Sequence, residues 1–153
     1  MFNLTYYEER LRQAANTGQI ISITGGTGFF AFGYLEDFKK VNATTHWPAL
    51  IAIWPEKYPI LTQTRKPYVI EQKFYLGNRT TTDLPKYLDI CFDYARAFIN
   101  ALNDDNEYMR VVNINKPIEA TMIPKGQDVS NSVWITFDIE IELIGEPANP
   151  GPA

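Results

Sequence analysis

The chain has one cysteine, Cys91, and one histidine, His46, in 153 residues. A single cysteine excludes an internal disulfide. With one histidine beside it, neither a Cys/His zinc site nor a two-histidine metal motif can be assembled within one copy. Long apolar runs are also missing: no stretch approaches the roughly 20 residues that a membrane-spanning helix needs. Met1 to Arg12 carries charges where a signal peptide has its apolar core, so export is not expected. The N-x-T triplets at Asn3, Asn42 and Asn78 then have no glycosylation machinery to meet. Basic clusters are short as well. Lys39-Lys40 and Arg65-Lys66 are only pairs, read as solvated loops, and the net charge is -4, whereas a dedicated nucleic-acid binder concentrates Lys and Arg.

What is present is the composition of a folded domain. An apolar share of 45% with 14% aromatics excludes disorder over most of the length. A chain of this size buries about two-thirds of its unfolded surface, enough for a core without staples. Residues 1–144 read as a single domain. Residues 145–153, with three prolines and two glycines, read as a C-terminal arm that cannot join a sheet.

The most regular segment runs from Ser132 to Leu143. Val133, Ile135, Phe137, Ile139, Ile141 and Leu143 alternate with Trp134, Thr136, Asp138, Glu140 and Glu142, which predicts a long strand with one core face and one acidic face. Tyr68 to Leu76 alternates too, Ile70, Phe74 and Leu76 opposing Glu71 and Lys73. Ala49 to Trp54, bounded by Pro48 and Pro55, is wholly apolar and suits a strand buried on both faces. These two are expected to pair as a hairpin. Leu84, Leu88, Cys91, Ala95, Phe98 and Leu102 step by three and four onto one stripe, predicting a long helix that starts near Asp83 with Pro85 in its first turn.

Thr5 and Glu8 have capping-box spacing before Tyr7, Leu11, Ala14 and Ala15, so an N-terminal helix is expected to run to a stop at Gly18. Gln19 to Thr24 is a β-branched run. Phe29 to Lys40 reads as a second short helix or an aromatic loop, and Met109 to Ile114 and Ile118 to Ile123 as further strands. The order predicts an α+β fold: an antiparallel sheet with the N-terminal helix and the long helix packed on one face.

Thr24-Gly25-Gly26-Thr27-Gly28-Phe29-Phe30-Ala31 resembles the glycine-rich turn of short-chain dehydrogenases, in which main-chain amides at a helix N-terminus hold a pyrophosphate. That resemblance implies a small nucleotide- or dinucleotide-binding enzyme. Against it, a helix precedes the run, the strand–helix alternation does not continue, and no Tyr is followed four residues later by Lys. His46 has no positioned partner for base catalysis. Cys91 lies on an apolar stripe, where a thiol acts as a small hydrophobe. Asp138, Glu140 and Glu142 repeat in what the pattern presents as one environment, about 7 Å apart along the strand. With Glu71 and Lys73 they read as an acidic surface, Lys73 pairing one carboxylate across the sheet. No catalytic, cofactor or metal residue is assigned.

Tyr6, Tyr7, Phe29, Phe30, Phe32, Tyr34, Trp47, Trp54, Tyr58 and Tyr68 crowd the first half of the chain. Core packing accounts for some of them. Surplus aromatics are characteristic of subunit interfaces, and Phe29, Phe30, Trp54 and Tyr58, with Pro147 and Pro150 of the arm docked on a neighbour, are the expected contacts.

The order of an N-terminal helix, the run Pro48-Ala49-Leu50-Ile51-Ala52-Ile53, the strand Tyr68 to Leu76, the helix Asp83 to Leu102 and the strand Val133 to Leu143 resembles the tail terminator, or tail completion, proteins of long-tailed bacteriophages. Neck and connector rings share related folds. The resemblance implies a virion subunit without enzymatic activity or cofactor, made in the host cytoplasm and assembled into a ring, usually a hexamer. Such a ring stops growth of the tail tube and meets the head connector, and DNA passes through its lumen with only passive contact. The acidic strand face would then repel phosphates in that lumen. A cytosolic interaction domain with an acidic surface is the remaining alternative.

Overall fold

The structure, a computed structural model, describes residues 4–22, 28–34, 47–58, 68–79, 84–104, 109–112, 114–123 and 132–143. Helix α1 is Leu4–Thr17 and α2 is Leu84–Asp104. The strands are β1 (Phe29–Gly33), β2 (Ala49–Ile53), β3 (Tyr68–Arg79), β4 (Met109–Val111), β5 (Ala120–Met122) and β6 (Ser132–Leu143). They form one six-stranded sheet in the order β1-β2-β3-β6-β4, with β5 also on β6. The fold is α+β. His46, Thr24 to Thr27 and the arm with Pro147 and Pro150 lie outside the described residues.

The sheet is mixed rather than antiparallel, because β1 pairs with β2 in parallel while every other pair is antiparallel. Phe29–Gly33 is therefore a strand and neither a helix nor a loop. The β2–β3 hairpin forms as expected, with Leu50 opposite Leu76 and Ala52 opposite Phe74. Strands β4 and β5 are shorter than their apolar runs. Both pair with the same edge of β6, at residues 141–143 and 135–137, so they form one edge strand interrupted by residues 112–119.

Alternation sorts the long strands. Ile70, Phe74 and Leu76 of β3 and the odd residues of β6 join Tyr7, Leu11, Phe98 and Leu102 of the helices in the main core. Phe74 sits at its centre, edge-on to Phe98 at 4.9 Å and stacked with Phe137 at 5.5 Å. The opposite stripe of α2 leaves Lys86, Asp89, Asp93, Arg96 and Asn100 exposed.

Helix α1 begins one residue ahead of the expected cap, so Thr5 stands within its first turn and Glu8 faces Arg12 at 3.9 Å. Its end is a Schellman motif. The Gln19 N–H donates to the Asn16 carbonyl at 3.1 Å and the Ile20 N–H to the Ala15 carbonyl at 3.0 Å. The left-handed position falls on Gln19, with φ 64°, and not on Gly18. Gly18 serves another need: a Cβ there would stand 3.1 Å from the Phe98 main-chain nitrogen, so its absence lets α1 approach α2.

Gln72 breaks the apolar stripe of β3 yet is fully buried. The Tyr7 hydroxyl donates to its Oε1 at 2.9 Å, and its Nε2 donates to the carbonyls of Ile53 and Lys73. The amide thus ties α1 to β2 where that strand leaves its ladder, and satisfies groups that burial would otherwise penalise.

Candidate functional site

The two described helices pack on one face of the sheet; the opposite, outer face divides in two. At one end Ala49, Ile51 and Trp134 form a second buried cluster, joined by Phe29, Trp47, Ile53, Tyr75 and Ile123. Trp134 occupies an even position of β6, where the alternation predicts a polar face, yet it is 2% exposed. Its indole N–H donates to the Ser132 hydroxyl at 3.1 Å, and Trp47 meets it edge-on at 5.7 Å. Gly77 stands opposite Trp134 in the ladder, and the strand continues through it to Arg79.

The other end carries the charges. Register places Lys73 opposite Asp138, Glu71 opposite Glu140, and both Val69 and Arg110 against Glu142. Lys73 Nζ lies 3.2 Å from Asp138 Oδ2, the cross-strand pair that the alternation predicts. Arg110 Nη2 reaches both oxygens of Glu142, at 3.1 and 3.3 Å. The three carboxylates of β6 therefore do not share one environment. Asp138 and Glu142 each face a cation, and Glu140 faces another carboxylate. Like charges directly opposite in a ladder are destabilising.

A groove of about 640 Å³ runs beside this charged strip. Trp54, Tyr68 and Val69 line it together with Glu71, Lys73 and Glu140. On the other side of β6 the interruption between β4 and β5 opens a hollow of about 460 Å³ onto Asp138 and Glu140, lined also by Lys116 and Glu119.

The expected contact residues scatter. Phe30 is in the main core, with the Arg12 guanidinium 4.8 Å above its ring. Tyr58 is half-buried against the same core, 5.9 Å from the Tyr7 ring, and its hydroxyl has no hydrogen-bond partner among the described residues. Phe29 is half-buried in the outer cluster. Trp54 alone of the four is exposed, its ring tilted 60° to that of the exposed Tyr34 with the centroids 4.3 Å apart.

The groups that most resemble reactive side chains are sequestered. Burial pushes the Cys91 thiol up to about 12, the opposite of the activation that a nucleophile needs. Burial likewise pushes the Tyr58 hydroxyl up to about 12, and burial with Tyr58 nearby raises Tyr7 well above its ordinary value. Among the described residues no three His, Cys, Asp or Glu side chains are disposed to hold a metal ion, and no helix is long and apolar enough to cross a membrane. Gly28 has φ 78°, and a Cβ on it would stand 2.0 Å from the Ile20 carbonyl oxygen. Beyond it the glycine-rich run continues into β1, so Phe29 to Ala31 open a strand and provide no helix N-terminus for a phosphate.

No family model matches this chain, and no curated protein matches it.

Alternation alone did not find Gln72, Gly77, Trp134 or Arg110. Gln72 and Trp134 are each of the wrong polarity for their face, and that mismatch is the signal a sequence offers.

Proposed function

We propose that the chain is a non-enzymatic structural subunit that assembles into a ring, a hexamer in the simplest form, ending the tail tube of a long-tailed bacteriophage. The ring joins the tube to the head connector, and the genome passes through its lumen. Its partners are further copies of itself, the tail tube protein and the neck or connector proteins, and its place is the virion. The observation that carries this reading is the placement of the described helices on one face, which leaves the charged end of the outer β3–β6 face uncovered by any described element, with the exposed Trp54, Tyr68 and Val69 beside it. Exposed aromatic and apolar side chains grouped with charged ones suit a protein contact. The element order α1, β2, β3, α2, β6 supports the same reading through its resemblance to tail terminators.

One part of that reading changes. A lumen that repels DNA calls for a continuous strip of free carboxylates, and Lys73 and Arg110 pair off two of them. The outer face is better used as a protein contact. Electron microscopy of the purified protein tests the proposal: rings with an open centre are expected, and a field of uniform small monomers would refute it.

A further inference from the structure

Strand β3 is paired along its whole length on one side only. Strand β6 accompanies it from Tyr68 to Arg79, whereas β2 pairs with Phe74 to Gly77 alone. Beyond Ile53 the chain turns toward β1, where the Trp54 N–H donates to the Gly33 carbonyl at 2.8 Å. The Gln72 side-chain amide closes the β2–β3 ladder there by donating to the carbonyls of Ile53 and Lys73. Parity then decides which main-chain groups of β3 are left over. The Val112 and Ile123 N–H groups donate to the carbonyls of Glu140 and Trp134, so the even residues of β6 turn toward the β4–β5 edge and the odd ones toward β3. Their partners in β3 are the even residues Tyr68, Ile70 and Gln72. The N–H and C=O groups of Val69 and Glu71 therefore point away from β6, to the side that β2 has left, and no described residue takes them up. The groove of about 640 Å³ lies at this vacated edge, with Val69 and Glu71 on one side and Trp54, Pro55 and Lys57 on the other.

We infer that this edge is a strand-addition site: an extended, proline-free segment of a different protein lies along β3 in the groove and exchanges main-chain hydrogen bonds with Val69 and Glu71. Two donors and two acceptors set two residues apart, about 7 Å, match the repeat of a polypeptide in the β conformation, a register that a lipid headgroup or a phosphate does not offer. An open ladder is a template for a further strand. Side chains narrow the class. Val69 and Trp54 are exposed and line the same groove, so β-branched residues of the segment pack against them. The occupant comes from a different protein because each described strand of this chain is already held in its own sheet. The edge of a whole sheet with its helices does not enter a groove walled by Trp54 and Lys57, whereas a segment free of any sheet does.

The test is an NMR titration of the full chain, with amide hydrogen exchange, using the capped peptide acetyl-Thr-Val-Thr-Val-Thr-Val-amide up to millimolar concentration. In the free chain the Val69 and Glu71 amides are expected to exchange quickly, while those of Ile70 and Gln72, bonded to β6, are protected. The peptide should shift the Val69 and Glu71 resonances saturably and slow their exchange. Val69→Pro deletes a donor where an edge strand tolerates proline, and is expected to weaken binding about fivefold or more. Val69→Thr keeps the N–H and should bind as the parent does. If the proline variant fails to fold, the same peptide with N-methylated main-chain nitrogens keeps the test decisive, since it is expected not to bind the parent. Absence of saturable shifts, or equal shifts with the N-methylated peptide, overturns the inference. So does protection of Val69 and Glu71 in the dilute free chain, which would put a segment of the chain itself on the edge. Protection that grows with protein concentration alone would make a second copy the occupant and overturns it too. The inference rests on the open ladder alone, so this titration and the ring measurement fail separately.

Discussion

Gly77 and Trp134 are cross-strand partners, and the indole of Trp134 lies where a side chain of Gly77 would stand. A Cβ on Gly77 would come within 2.4 to 2.6 Å of three indole carbons. In most strand positions replacing glycine by alanine stabilises, because glycine loses more backbone freedom on folding. Here the sign reverses. Gly77→Ala is expected to cost about 1–3 kcal/mol through overpacking. Combined with Trp134→Leu, which withdraws the indole, its cost should shrink, so the two changes are non-additive. Chemical denaturation of the four proteins checks this. Independent effects that sum would show that the indole does not cover Gly77.

The end of α1 offers the opposite case. Gln19 holds the left-handed position of the Schellman motif, where glycine carries no Cβ penalty. Gln19→Gly is expected to raise stability by about 0.5–1 kcal/mol. Gly18→Ala, one residue earlier, should lower it, because the added Cβ meets the α2 main chain at Phe98. Thermal midpoints of the two variants should therefore move in opposite directions.

Cys91, Tyr58 and Tyr7 set the alkaline limit. Burial raises all three above their unfolded values of 9.0 for the thiol and 10.0 for the phenols. A raised folded pKa means that the unfolded chain gives up its proton first, so stability is full below about pH 9 and falls as pH climbs toward about 12. Cys91→Ala should remove the earliest part of that loss, at some cost from the cavity left behind. Stability measured from pH 8 to 11 in parent and variant checks this, as does a thiol reagent, which should modify Cys91 only as fast as the protein unfolds.

The carboxylate pair on the outer face makes a prediction about salt. Glu71→Gln removes one half of a like-charge ladder pair and should stabilise the protein by about 0.2–1 kcal/mol at low ionic strength. The gain should fade as salt rises, since exposed charges are screened over about 10 Å at 0.1 M. Asp138→Asn breaks the exposed pair with Lys73 and should change stability little in either direction. Denaturation midpoints at low and high salt separate the two variants.

Much of this fold is legible because burial on one side imposes a period. The alternation of Val133 to Leu143 and the three-and-four spacing from Leu88 to Leu102 each report a single core face, and both elements form where those patterns lie. The pattern is silent where a residue answers to a partner remote in sequence. Phe29–Gly33 has no alternation because β1 is a short edge strand that acquires its pairing from β2 across residues 34–48. Gly77 looks like a strand end until Trp134 is seen to cover it. Asp138, Glu140 and Glu142 look equivalent along their own strand and become distinct only through Lys73, Glu71 and Arg110 on the strands beside them. The carboxylates were legible as a face, whereas the groove beside them depends on how Trp54 and Tyr68 arrive next to them.

The central claim is that this is a ring-forming structural subunit. Native mass spectrometry of the purified chain tests it most directly. The account predicts a dominant species at about six times the 17.5 kDa subunit mass, whereas a spectrum holding only the 17.5 kDa monomer across the concentration range would contradict it.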